Sequence, residues 1–598
     1  MDSKERPRWS AIVCHVLIGV LALGHFIFLM CWFAPAIHQP DANGYFAQAT
    51  TIAHTGRTWF EPESHLRYIN MHWMKTESGR YFSHYPPGFG VVLALPFKLG
   101  GSTAAMLMNP LMASLTLVAL YLVCARWVGA GWGLLAAALL AVNPAANQWA
   151  LAYFAHTVVA FFLVWGLYFL ARWEATNSWK WSVAAGFFLG VLPSLRYPAA
   201  LFCAAAFVFA ALIVLTKREA WKSALAGLAA AAVPIVALLV HNQFAFGAFW
   251  RTGYSLTNEQ TGFSWDYFTS HAVSYLETLS GGGAGVLFGI GLAGVTVLCA
   301  RRKTWKHGVL LACLAVPITV LYMSYYWSGG RNAAGSMRFL LTTFYVYALA
   351  GVWLLATVAS VSRGAAAAAG IVLLAVTAAW GLPLSVRHCE RNHAPAAALV
   401  KVTDFIEQHA EPGSLIIAPQ IVQQHLEFVG KWRLVDENAM RAGGGRGRVM
   451  RRMLDRDPDR PSPMQTEKME DRLKRYEDLP PEEVLHQFAA DLKAWAGPDR
   501  KIYWLVEEER LTPEMKRERW LDTFKTVAEL ELPTVERRDP RARGGRGRPA
   551  MPPGGFRGGP PMGPGSRAMG RRPRRGPGGR AGALLSGGKL ILVEWTVR

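Results

Sequence analysis

Asp41 lies in HQPDANGYFAQAT, directly after the first apolar run of the chain. A carboxylate at a lipid–water boundary can serve as a general base where an external acceptor meets a lipid-borne donor. Asp at the start of an amphipathic run can equally cap a helix. Arg196 lies in PSLRYPAA, between two apolar runs. An arginine in such surroundings needs an anion or a wet cavity, because insertion at a helix centre costs about 2.5–3.5 kcal/mol. A guanidinium matches phosphate oxygens with paired donors, so Arg196 reads as a phosphate ligand or as a snorkelling loop residue. Arg331 and Arg338 lie in YYWSGGRNAAGSMR and invite the same argument. His84 and Tyr85 open HYPPGF, where two prolines and a glycine set the entry of the next helix. Asp41 and His84, with Glu61, Glu63 and His72 in the same loop, are candidate metal ligands, although no spacing among them is diagnostic. Arg251 and Tyr254 sit in the aromatic segment NQFAFGAFWRTGYS, which suits a membrane belt or the stacking of sugar rings.

Such residues need a scaffold, and the composition says what kind. Hydrophobic residues make up 52% of the 598 and charged residues 17%, against about 25% charged in an ordinary soluble domain. Between Trp9 and Leu384 there are nine acidic residues, too few for a soluble segment of that length. Apolar runs near 10–33, 104–124, 130–149, 156–172, 181–195, 198–215, 223–241, 283–300, 308–326, 338–359 and 364–384 give eleven candidate transmembrane helices. The first run is too long for a signal peptide and reads as an anchor. A soluble globular enzyme is excluded for this part.

Basic residues set the orientation. Lys4, Arg6 and Arg8 precede the first run; Arg126, Arg172, Lys180, Lys217, Arg218, Lys222, Arg301 to Lys303, Lys306 and Arg363 fall in alternate short loops. These predict a cytoplasmic N-terminus, and an odd number of spans places the C-terminal part outside. The long loops 34–102, 242–282 and 325–338 then share the external face, and Gly88 to Leu99 reads as an interfacial helix. The expected location is the plasma (inner) membrane. Six of the seven cysteines fall in spans and Cys389 beyond them, so no disulfide is available to the external part.

The expected division is a membrane domain, 1–384, and an extracytoplasmic α/β domain, 385–598. In the latter, helical spacing covers 399–409 and 481–495. Strand patterns cover 414–419, 432–436, 501–507, 525–532 and 589–597, the last two suited to pair. These elements predict a small three-layer α/β domain. It holds no GxGxxG, P-loop, CxxC or HExxH, and reads as accessory. Arg541 to Arg580 holds eleven arginines and no acidic residue, and supplies about half of the net charge of +21. About 540–583, this Gly/Pro/Arg composition predicts a disordered insertion. The basic charge therefore does not argue for nucleic acid.

Taken in order, Asp41 with Tyr45, YPPGF at 85–89, LRYP at 195–198, NQFAFGAFWRTGY at 242–254 and YYWSGGRNAAGSMRFLL at 325–341 resemble the GT-C polyprenyl-phosphate-dependent glycosyltransferases. That family includes protein O-mannosyltransferases and lipid A aminoarabinose transferases, and the resemblance spans about residues 10–385. It implies a helical membrane fold, a sugar on polyprenyl phosphate as donor, and a lipid, glycan or protein acceptor. It implies a base-like role for Asp41 and a lipid-phosphate contact near Arg196. Some members carry a carboxylate near the position of His84 that helps hold a metal. Here it is His; because the implied donor is a lipid monophosphate, no cofactor is required, and a divalent metal stays an open alternative. Transfer with inversion is the expected chemistry. The other readings are a transporter or flippase of a lipid-linked or anionic substrate, which calls for mid-membrane polar groups and similar halves, and a non-catalytic membrane scaffold.

Overall fold

The computed structural model describes residues 8–257, 259–437, 476, 479–507, 524–532 and 588–596. The tract at 540–583 lies outside the described residues.

The membrane part is mostly helical. α1 (Arg8–Met30) is followed by α2 (Pro40–Thr55), then by a sheet of β1 (Trp59–Phe60), β2 (Trp73–Lys75) and β3 (Tyr81–Ser83), with β3 central and antiparallel to both neighbours. α3 (Gly88–Trp127) breaks at Gly100–Gly101, where Gly101 takes φ +66°, a value that favours glycine. The interfacial helix expected at 88–99 is thus the first arm of α3, and residues 102–127 form the second.

The bundle continues with α4 (Ala130–Ala141), α5 (Pro144–Ala150), α6 (Ala155–Thr176), α7 (Trp179–Gly190), α8 (Leu192–Leu195), α9 (Ala200–Thr216) and α10 (Trp221–Phe246). Next come α11 (Trp265–Thr278), α12 (Val286–Ala300), α13 (Trp305–Met323), the single turn α14 (Ala333–Ser336), α15 (Leu341–Val358) and α16 (Arg363–His409). Among the described residues, eight helices are long and apolar enough to cross a membrane, or ten if each of two bent pairs is one span. Eleven were expected. The difference is the run 181–195, which folds as a 12-residue helix and one further turn. Twelve residues rise only about 18 Å, short of the hydrocarbon core. With α8, α7 still carries the chain from one end of the bundle to the other.

The two ends differ in chemistry. At one, Glu174 accepts from Trp127 Nε1 at 3.0 Å and pairs with His307 at 3.1 Å, while its carbonyl accepts from Lys217 Nζ at 3.2 Å. Lys306 bonds Thr216 there, and Arg301 bonds Thr357. At the other end sit α2, the small sheet and the turns after α10 and α13.

α16 departs from the expected boundary at 384/385. It is one helix of 47 residues, about 70 Å long at 1.5 Å per residue, and runs through Pro383 and Pro395. Composition turns polar after Leu384, but the backbone does not stop. The helix expected at 399–409 is its last three turns, and Cys389 is buried within it.

Beyond α16 the chain forms β4 (Leu415–Ile417), α17 (Gln420–Val429), β5 (Arg433–Val435), α18 (Pro481–Ala496), β6 (Ile502–Glu507), β7 (Phe524–Leu532) and β8 (Gly588–Trp595). The sheet order is β5-β4-β6-β8-β7. β4 is parallel to β5 and β6; β8 is antiparallel to β6 and β7. Alternate residues face opposite sides. Ile416, Leu434, Leu505 and Leu592 pack under α16 and α17, while Ile417, Trp504, Val506 and Ile591 pack with Val484, Phe488 and Leu492 of α18. The result is three layers, with the last two strands paired as the sequence pattern suggested.

Candidate active site

α2 starts at Pro40, which suits a first helical position because its missing N–H has no helical partner there. Asp41 and Tyr45, four residues apart, share one face. That face lines a cavity of about 490 Å³ at the end of the bundle opposite Glu174. Its walls bring together Asp41, Tyr45, His84, Tyr85, Arg196, Tyr254 and Arg338 from across the chain.

Each wall has a local cause. β3 delivers His84, whose N–H bonds the His72 carbonyl at 2.8 Å. His72 Nδ1 and His84 Nε2 share a hydrogen bond of 3.0 Å, and both rings are buried. Tyr85 stacks on Tyr45 with ring centres 3.9 Å apart. The turn carrying Tyr254 is seated by Gly253, where a Cβ would lie 2.2 Å from His84 Cα, so only glycine allows this approach.

The two cavity arginines differ in their partners. Arg338 Nη2 donates to Asp41 Oδ2 at 2.6 Å, and its guanidinium lies 4.5 Å from the Phe154 ring centre. Arg196 follows α8 in extended backbone and donates from Nη2 to the Tyr322 hydroxyl at 2.6 Å. Among the described residues, no ion pair joins Arg196 to a carboxylate; the groups that act on its charge are the tyrosines 322, 45 and 254.

Electrostatics separate the two cavity carboxylates. Burial opposes the charge on Asp41, but Arg338 and then His72, whose Nε2 is 3.5 Å from Oδ1, hold its pKa well below the usual carboxylate range. Glu259, which also lines the cavity in the turn Glu259–Gly262, has no such cation among the described residues. Burial, and then the Asp41 charge, push it up to about 7. Burial also raises the hydroxyls of Tyr85 and Tyr254, which remain protonated donors.

Arg251 does not join the cavity. Gly247 ends α10 at φ +81°, and the turn from Ala248 to Arg251 leaves the arginine exposed. Arg331 lies in the turn Gly330–Asn332, and its side chain lies outside the described residues. Asp41 and His84 share the cavity, but no three His, Cys, Asp or Glu side chains among the described residues are gathered to hold a metal. The sequence reading did not single out Glu259, Tyr322, His156 or Phe339 for the site. Glu259 had a signal, as one of nine acids in a long apolar stretch; the others fall within apolar runs.

Residues 84–241 match the model of the dolichyl-phosphate-mannose-protein mannosyltransferase family. The whole fold is similar to ArnT from Cupriavidus metallidurans, seen bound to undecaprenyl phosphate: 14% identity, TM-score 0.53, over 86% of this chain and 96% of that one. The chain has the GT-C fold. The Archaeoglobus fulgidus oligosaccharyltransferase in its apo form is a further match, at 14% identity and TM-score 0.46, over 84% of this chain and 70% of that one. A search of curated proteins found no match. The resemblance to GT-C polyprenyl-phosphate-dependent glycosyltransferases, drawn from five short segments, therefore holds. The matched family segment contains YPPGF and LRYP, while Asp41 and Arg338 fall outside it.

Proposed function

We propose that this GT-C membrane protein is a glycosyltransferase that moves a sugar from a polyprenyl-phosphate donor to an acceptor hydroxyl at the external face. The observation that carries the reading is the unequal state of the two arginines. Arg338 is committed to Asp41, while Arg196 lacks an ion-paired carboxylate among the described residues and faces the same cavity. An anion is therefore favoured near Arg196, and a carboxylate is kept ionised in the same cavity. The similar ArnT is seen with undecaprenyl phosphate, which supports a lipid monophosphate in this role.

In the reaction, the acceptor oxygen forms a bond to sugar C1 as the C1–O bond to phosphate breaks. The phosphate leaves with that electron pair, stabilised by Arg196. Asp41 accepts the hydroxyl proton as the acceptor oxygen bonds C1, and Arg338 fixes the carboxylate. Attack opposite the leaving phosphate inverts C1. Charge on a monophosphate is met by guanidinium, so the reading requires no cofactor. The basic loops around Lys217 and Lys306 support a cytoplasmic N-terminus and an external cavity.

The test incubates the purified protein with radiolabelled polyprenyl-phosphate sugars and a cell-envelope extract. Label appearing in a lipid, glycan or protein fraction supports the reading. Label that stays on the polyprenyl carrier with every sugar tried refutes it.

A further inference from the structure

The C-terminal α/β domain carries no motif of its own, yet it grips the helix that bears Asp41. Along α2, residues advance by about 100° each. Asp41 and Tyr45 face the cavity; Asn43, Phe46 and Thr50 fall on roughly the opposite side and meet α17. The Asn43 side chain is fully buried, and its Nδ2 donates to the Gln424 carbonyl at 2.6 Å and to Glu427 Oε2 at 3.0 Å. Thr50 Oγ1 donates to the Phe428 carbonyl at 2.7 Å, and Phe46 meets Phe428 edge-on, with ring centres 4.9 Å apart. Just before α2, Ile37 N–H donates to His425 Nδ1 at 3.2 Å.

A second anchor lies at the edge of the sheet. β5 would expose unpaired backbone groups there. The first external loop covers it: Tyr68 N–H donates to the Leu434 carbonyl at 2.8 Å, and Asp436 N–H to the Leu66 carbonyl at 2.8 Å. The loop that follows α2 and the helix itself are thus tied to one domain. α2 also packs on α3, where Phe46 meets Phe89 with ring centres 5.6 Å apart.

We infer that the C-terminal domain is a clamp on α2, and that Asn43 and Glu427 are positioning residues setting where Asp41 sits relative to Arg196. This rests on the transferase reading for its kinetic consequence, but its structural claim stands apart from it. Asn43 is two residues from Asp41, so a change in the rotation of α2 moves the carboxylate directly. A misplacement near 1 Å can cost about a hundredfold in rate. Donor affinity, set at Arg196 on a different element, is spared.

The experiment compares Glu427→Leu, Glu427→Gln and Thr50→Val in the full chain, by turnover, donor KM and hydrogen exchange of the peptide 40–55. Glu427→Leu should lower kcat by about ten- to a hundredfold with donor KM within about twofold, and should speed exchange in α2. Glu427→Gln keeps an acceptor oxygen for Asn43 and should restore both. Thr50→Val, of similar volume, should speed α2 exchange to a lesser degree. Unchanged α2 exchange in Glu427→Leu and Thr50→Val overturns the clamp. Equal loss of kcat and donor affinity, with exchange raised throughout the bundle, also overturns it, in favour of general destabilisation. If wild type transfers no sugar, the function proposed above fails, and the exchange measurements alone decide on the clamp.

Discussion

Asp41→Asn separates the proton acceptance proposed for the carboxylate from its ion pair with Arg338. Its oxygens meet Arg338 Nη2 at 2.6 Å and His72 Nε2 at 3.5 Å. Asparagine is nearly isosteric and keeps one acceptor oxygen, so the contact with Arg338 survives as a bond to a neutral group. The difference between a charge-assisted and a neutral hydrogen bond is about 1–2 kcal/mol. The Asp41 side chain is 33% exposed, so solvent reduces that loss further. The amide cannot take a proton, and loss of a general base typically lowers rate by about 10²–10⁴-fold, or roughly 2.7–5.5 kcal/mol in the barrier. Activity should therefore fall far more than stability. Thermal unfolding in detergent should shift by a few degrees, donor binding should hold, and sugar transfer should fall at least a hundredfold. Turnover within about tenfold of wild type would refute the role of Asp41 in proton transfer and leave it as the first-turn acid of α2. Joint loss of folding and donor binding would mean that the ion pair with Arg338 is structural.

Three further outcomes follow. Arg196→Ala should weaken donor binding by one to two decades, the worth of a charge-assisted contact of about 1.5–3 kcal/mol; Arg196→Lys should recover part of it, because an ammonium lacks the paired donors; normal binding by Ala would leave Arg196 as a partner of Tyr322 only. Glu259, held near 7 against 4.5 in an unfolded chain, favours folding below about pH 4.5 and loses that contribution as pH rises through 7; melting temperature between pH 5 and 8 should fall less in Glu259→Gln than in wild type, and identical slopes would refute this. A phosphatase that works only outside the cytoplasm, fused after His409 at the end of α16, should be active, whereas activity of a cytoplasm-only reporter there would reverse the topology.

Much of the architecture was legible because apolar runs and basic loops obey the same membrane physics. The C-terminal strands were legible because a short continuous apolar run such as LILV in KLILVEW suits a strand covered on both faces. Charges stranded among apolar residues marked Asp41, Arg196 and Arg338. Their partners were not marked, because Asp41 and Arg338 are 297 residues apart and no local pattern encodes that pairing. Arg251 misled for the reverse reason. Its aromatic neighbours suit a site, but the turn after Gly247 decides its direction and leaves it exposed. The boundary at 384/385 followed composition, while α16 follows backbone hydrogen bonding and ignores the change. The grip of α17 on α2 could not be read at all. Asn43 and Glu427 are ordinary polar residues in sequence, and only the fold brings them to 3.0 Å.

The most direct measurement counts both products in proteoliposomes supplied with a polyprenyl-phosphate sugar and an acceptor. The account predicts one polyprenyl monophosphate released per sugar transferred, an inverted C1 in the product, and loss of both in Asp41→Asn. Intact carrier-linked sugar moving from one leaflet to the other, with no monophosphate released and no dependence on Asp41, would contradict it.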